Sequence, residues 1–342
     1  MTFAVSARGR SALMLALLVA VAVLVAGSPL PAPAAPGTGN SDPEGDIPTL
    51  RKAFESAASG YNNAKARLAT SQKREAALNA GIKTLQTRVA VLSAQVQKFA
   101  VEAYSGGRPD PLTATLDGAT MSVVLAKLSV LDQLDHKRGK QLEALHTARK
   151  QLDEKKAKVQ REIKIQQVQT KTLAKKKADA EKALIAVGGF VSKGYVAGGT
   201  QPARASSRAA DGSWPRESCS RDDPTTGGCL TPRTLHALQQ AQNAGFGRYV
   251  SCYRSAYSGE HGKGRACDFA ASATGFSGAA TGGDRRYGNQ LAGWLVQNAD
   301  RLAVLYVIWY RQIWMPGTGW RTYYGGGDPS SAHTNHVHLS VQ

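Results

Sequence analysis

The first 213 residues of this 342-residue chain contain no tryptophan and no cysteine, and no proline falls between Pro48 and Pro109. The missing cysteines exclude a disulfide framework there, and the missing prolines leave every amide available to a long helix. Beyond residue 40 no apolar run approaches the roughly 20 residues that a membrane-spanning helix needs. Acidic residues are also scarce, 25 against 43 lysines and arginines, for a formal net charge of +18. Blocks such as Lys155-Lys156-Ala157-Lys158 and Lys175 to Lys177 carry no interleaved aromatics. The charge therefore reads as a solvated, lysine-rich helical surface, and nucleic acid is not expected as a partner.

What is present divides the chain. Arg8 and Arg10 precede an unbroken apolar run, Ala12 to Ala26, and Ala32-Pro33-Ala34 offers small residues for cleavage, so residues 1–34 read as a secretory signal peptide. The apolar run is short for a bilayer, which makes an uncleaved anchor the lesser alternative. Residues 35–48 read as a flexible segment. An exported, wall-associated chain meets wall polymers, anionic head groups and acidic peptides, the partners that suit its charge.

From Phe54 the apolar spacing alternates three and four through Ala57, Tyr61, Ala64, Leu68, Leu78, Ile82, Leu85, Val89, Leu92, Val96, Phe99 and Ala103, broken only at Ser71 and Glu75. Such a repeat predicts a coiled coil. Ser105-Gly-Gly-Arg-Pro-Asp-Pro111 stops it, and a second helical stretch from Met121 to Val187 carries Leu125, Leu128, Leu131, Leu134, Leu142, Leu145, Leu152, Val159 and Ile163. Residues 49–187 thus form a predicted helical hairpin with an apolar cap near 105–134. The cap is either a docking surface or packing for the end of the rod. Residues 188–213, rich in glycine, serine, alanine and basic side chains, read as a flexible linker.

All five tryptophans and all four cysteines lie in residues 214–342. Helices are expected over Pro232 to Ala244 and Asn289 to Leu302, and strands over Arg248 to Tyr253, Arg265 to Ala270, Val304 to Trp309 and His336 to Val341. The class is α+β: an antiparallel-sheet domain behind an all-α hairpin. In an oxidising compartment Cys219, Cys229, Cys252 and Cys267 favour two disulfides. Of the three connectivities, Cys219 with Cys229 and Cys252 with Cys267 close the shortest loops, though spacing alone does not decide.

In His336-Val337-His338 strand alternation puts both imidazoles on one face, and in the segment from His261 to Asp268 it turns the carboxylate away from Cys267 and Phe269. Two neutral imidazoles and a carboxylate leave an open fourth position on zinc, as catalytic zinc requires. His333 reads as a supporting or surface group, and Trp309, Trp314 and Trp320 as core.

His261, six residues, Asp268 and a later His336-Val-His338 strand, with Tyr253-Arg254-Ser255 upstream, resemble the LAS-type zinc peptidases, which include lysostaphin-type endopeptidases and D-alanyl-D-alanine carboxypeptidases. The resemblance implies zinc on His261, Asp268 and His338, peptidoglycan peptides as substrate, and Arg254 holding a substrate carboxylate or the developing oxyanion. In the carboxypeptidase branch the general base is an acid at the position of Asn335; in the lysostaphin branch it corresponds to His336. Three expectations follow: a hydrolase using His336, a zinc-containing wall-binding regulator that does not cut, or a structural scaffold, a rod with a disulfide-stapled head. The hairpin, with its Tyr104-Ser-Gly-Gly turn, resembles the arms of exported cell-division hydrolases and activators, which implies docking on an FtsEX-type membrane complex.

Overall fold

The computed structural model describes residues 48–105, 120–185, 188–197, 201–255 and 259–342. The predicted signal peptide, the turn at 106–111 and most of the cap lie outside the described residues. Among those described, no helix is long and apolar enough to cross a membrane.

Helix α1 (Pro48–Ser105) runs for 58 residues, about 87 Å at 1.5 Å per residue. It pairs with α2 (Met121–Ile185). The pairing is antiparallel, since Ser56 meets Lys176, Glu75 meets Gln166 and Gln95 meets Gln141. Every predicted seam position on α1 whose side chain is described is buried or half-buried, including the two polar ones. Ser71 Oγ donates to a Glu162 carboxylate oxygen at 2.7 Å, and Gln166 Nε2 donates to Glu75 Oε2 at 2.6 Å. These paired polar layers fix the helix register that a purely apolar seam would leave loose. On α2 the buried positions Leu145, Leu152 and Val159 keep a seven-residue phase. Leu125, Leu128 and Leu142 fall off that phase and are exposed, contrary to expectation. Leu131 is exposed as well, near the start of the helix. Helix phase, and not side-chain hydrophobicity, decides which face meets α1.

Next come β1 (Arg221–Asp222) and β2 (Cys229–Leu230), a small antiparallel pair, and α3 (Pro232–Asn243). Thr231 caps α3 by accepting from Thr234 N, and Pro232 starts it where no amide donor is needed. A six-stranded sheet contains β3 (Val250–Ser251), β4 (Ala266–Ala270), β5 (Val304–Trp309), β6 (Gln312–Met315), β7 (Gly319–Thr322) and β8 (His336–Val341). Its order is β3-β4-β8-β5-β6-β7, with every pair antiparallel. The single helix expected over 289–302 begins earlier and divides into α4 (Gly282–Gln297) and α5 (Ala299–Leu302), parting at Asn298. Gly288 lets α4 approach the sheet, because a Cβ there would lie 2.2 Å from the Trp309 ring.

The two faces of the sheet have different partners. Cys267, Phe269, Val307, Trp309, Val337, Leu339 and Val341 enter one core with α3 and α4. On the other face Leu305, Tyr306, Ile308, Ile313, Met315 and Tyr323 pack against the base of the helical arm, through Phe54, Ala57, Ala58, Ala180, Ala183 and Leu184. Asp268, His336 and His338 lie on this second face. The hairpin β5–β6 turns through Tyr310 and Arg311, whose φ values of 48° and 60° are unusual for non-glycine residues. Their amides donate to His333 O and Ala332 O, at 2.7 and 3.2 Å, so the strained turn holds the loop before β8.

The stretch 188–213, read as a flexible linker, lies in its described parts along the sheet domain. Thr322 N donates to Phe190 O and Phe190 N to Thr322 Oγ1, Ser192 N donates to Trp320 O, and Ala203 N donates to Asn298 Oδ1. A polar, aperiodic sequence gives no sign of bonds whose acceptors lie about 100 residues away.

Candidate metal centre

The register of β4 on β8 sets Asp268 directly opposite His338. Alternation sends their neighbours Cys267, Phe269, Val337 and Leu339 into the core, which leaves the carboxylate and imidazole together on the second face. His261 comes from the turn before β4. Its Nδ1 lies against the Cys252 carbonyl; a carbonyl only accepts, so Nδ1 carries the hydrogen and Nε2 the lone pair. That Nε2 is 3.3 Å from Asp268 Oδ1. His338 has Nδ1 at 2.9 Å from the same oxygen and Nε2 at 2.8 Å from Ser340 Oγ. A hydroxyl can accept from Nε2–H, which leaves the lone pair on Nδ1 for a metal ion. One ligand atom from each of His261, Asp268 and His338 lies within 4.8 Å of the others, and all three residues are buried. The trio can hold a metal ion.

Electrostatics favour an ionised Asp268. Burial works against its charge, but the imidazoles of His261, His336 and His338 around it hold the carboxyl well below its usual range. Arg254 pairs with its other oxygen. The expected substrate-binding arginine is thus turned inward on to Asp268, with its side chain 22% exposed. His336 Nε2 is 3.5 Å from Asp268 Oδ1, and burial brings the ring's pKa down to about 4, so it is neutral at pH 7. His333, read as a supporting or surface group, is fully buried, with its ring 4.7 Å from that of His336.

Three further residues contribute. Ser340 shares the face of the two histidines by strand alternation, but its bond to His338 Nε2 is a tertiary fact. Tyr306 stacks on His338 at 5.5 Å with planes 13° apart, yet it lies in a strand that reads as wholly apolar. A register shift between Val304 and Tyr306 puts it on the second face. Glu55, from α1, accepts from Lys263 and Arg265 at 2.9 and 2.6 Å, and both cations also hold buried Glu260 beside His261. The arm therefore grips the loop that carries a ligand. Trp309 is core as expected, and Trp314 and Trp320 are half-buried against it.

Cys219 bonds Cys229 and Cys252 bonds Cys267, the shortest-loop pairing. Two disulfides fit an oxidising, extracytoplasmic setting. The second joins the residue whose carbonyl orients His261 to the neighbour of Asp268. Replacing Cys252 and Cys267 by alanine is expected to cost about 3 kcal/mol for a loop of this size. Metal affinity should fall by about 10–100-fold, as when an outer partner of a ligand is lost. Urea unfolding and a chelator competition read the two effects.

Residues 226–336 match a family model described as VldE, C-terminal domain. The matched segment takes in Arg254, His261, Asp268 and His336 and ends two residues before His338. No curated protein and no solved structure matches the chain.

Proposed function

We propose that the chain is an exported zinc peptidase of the LAS type that hydrolyses peptidoglycan peptides. The observation that carries this reading is the buried trio of His261, Asp268 and His338, with its ligand atoms within 4.8 Å of one another. Two neutral imidazoles and one carboxylate are a donor set suited to zinc that keeps a coordination position open. Zinc bound there supplies a Lewis acid that polarises a peptide carbonyl and makes water acidic near neutral pH.

The chain's own residues do the rest. His336, neutral and with Nε2 facing Asp268, is placed to take a proton as general base. Arg254, at the partly open edge of the site, turns from Asp268 to a substrate carboxylate or to charge developing on the attacked carbonyl. The exposed Val101, Tyr104, Met121 and Leu125 flank the far turn of the arm and support docking on an FtsEX-type membrane complex.

The full chain is expected to hold about one zinc and to release new amino termini from wall peptides. His261→Ala should lose both; His336→Ala should keep the metal and lose rate. A zinc-loaded chain inert on every such peptide overturns the reading.

A second reading, a wall-binding regulator that does not cut, is favoured by one observation. His261, Asp268, His336 and His338 are all at most 3% exposed, beneath a face that the arm covers. Peptide binding by the zinc-loaded chain without turnover would establish it.

A further inference from the structure

Asn335 is an amide at the position where the resemblance to the carboxypeptidase branch implies an acidic base. We propose that it is instead a positioning residue, which fixes the tautomer and aim of His336; the inference builds on the reading of His336 as general base.

The hydrogen-bond chain has one polarity. Asn335, 3% exposed, has Nδ2 at 2.9 Å from the Ser277 carbonyl and 3.0 Å from Ser330 Oγ. A carbonyl cannot donate, so the NH2 end of the amide must face it. Oδ1 of Asn335 then faces His336, 2.7 Å from Nδ1. An amide oxygen cannot donate either, so His336 Nδ1 carries the hydrogen. In the neutral ring the lone pair is left on Nε2, the atom that faces Asp268 and has no hydrogen-bond partner among the described residues. The backbone carbonyl of Ser277 thus dictates, through one side chain, which nitrogen of His336 can accept a proton.

The same polarity explains why an amide, and not an acid, sits here. An ionised aspartate at 335 would set a carboxylate oxygen against the Ser277 carbonyl, two acceptors with no hydrogen between them. Asparagine makes both bonds at once: it donates to the loop and accepts from the histidine. An amide that orients a histidine is a known alternative to a carboxylate in that role. The loop end of the chain is itself fixed, because Asp328 accepts from Ser330 N, Ser331 N and Ser331 Oγ.

The test reads the imidazole nitrogens of His336 by long-range 1H–15N spectroscopy of the full zinc-loaded chain at pH 7, with the signals assigned by their loss in His336→Gln. The native chain should show the Nδ1–H tautomer. Asn335→Ala should lose that preference and lower kcat by about 10–100-fold, with KM and zinc content unchanged. An Nε2–H tautomer in the native chain overturns the proposal, and this reading needs no variant. A retained Nδ1–H tautomer and kcat in folded Asn335→Ala overturn it too. A native chain that cuts nothing would defeat the peptidase reading alone, since the tautomer is measured without turnover.

Discussion

The chain shortened to residues 188–342, without the two arm helices, is expected to lose its cooperative fold and to aggregate. The arm is not an appendage at the sheet domain. Leu305, Ile308, Ile313 and Met315 are at most 2% exposed and share their cluster with Phe54, Ala57, Ala58, Ala180, Ala183 and Leu184. Uncovering such side chains costs about 1.5–3 kcal/mol each. Four of them approach the whole stability of a typical domain, about 5–15 kcal/mol. Polar contacts go as well: Asn62 Nδ2 donates to Val304 O at 2.9 Å, and Glu55 no longer balances Lys263 and Arg265. Urea unfolding followed by tryptophan fluorescence checks the outcome, because all five tryptophans remain in the shortened chain. A cooperative transition at the midpoint of the full chain would show that the arm contributes nothing to the domain.

Asp268→Ala is expected to abolish tight metal binding and to destabilise the metal-free chain by about 3 kcal/mol. The side chain is 0% exposed and lies within reach of Arg254, His261, His336 and His338. Removing one partner of a buried ion pair leaves the other charge uncompensated, which costs about 3–5 kcal/mol; the low end applies because Arg254 is partly exposed and can turn outward. Loss of a ligand should weaken the metal by more than the 10–100-fold typical of an outer partner. Asp268→Asn separates the two effects, since it keeps the shape and hydrogen-bonding oxygen but removes the charge. Metal titration by calorimetry and denaturant midpoints of the metal-free variants measure them. Retention of native metal affinity by Asp268→Ala would remove Asp268 from the ligand set.

Both results depend on one arrangement. Tyr306 and Tyr323 belong to the cluster that the arm covers, and their rings also contact His338 and His333. A displacement of the arm base therefore reaches the histidines by two routes, the tyrosines and the Glu55 grip on the His261 loop.

The sequence by itself determined the elements whose order is local. A seven-residue repeat is written within one helix, so the seam of α1 was legible from Phe54 to Phe99, including the polar breaks at Ser71 and Glu75. Two-residue alternation is equally local, so β8 and the shared face of His336 and His338 followed from it, as did the turning of Asp268 away from Cys267. Tertiary structure decided what depends on distant partners. It left Leu125, Leu128 and Leu142 exposed, bound the 188–197 and 201–213 stretches to the sheet domain, and placed the arm over the face that carries the histidines. It also assigned the imidazole hydrogens, because the carbonyls of Cys252 and Ser277 that dictate them lie 9 and 58 residues from the side chains they meet. Periodicity in a chain records which face is buried; only the folded register determines what buries it.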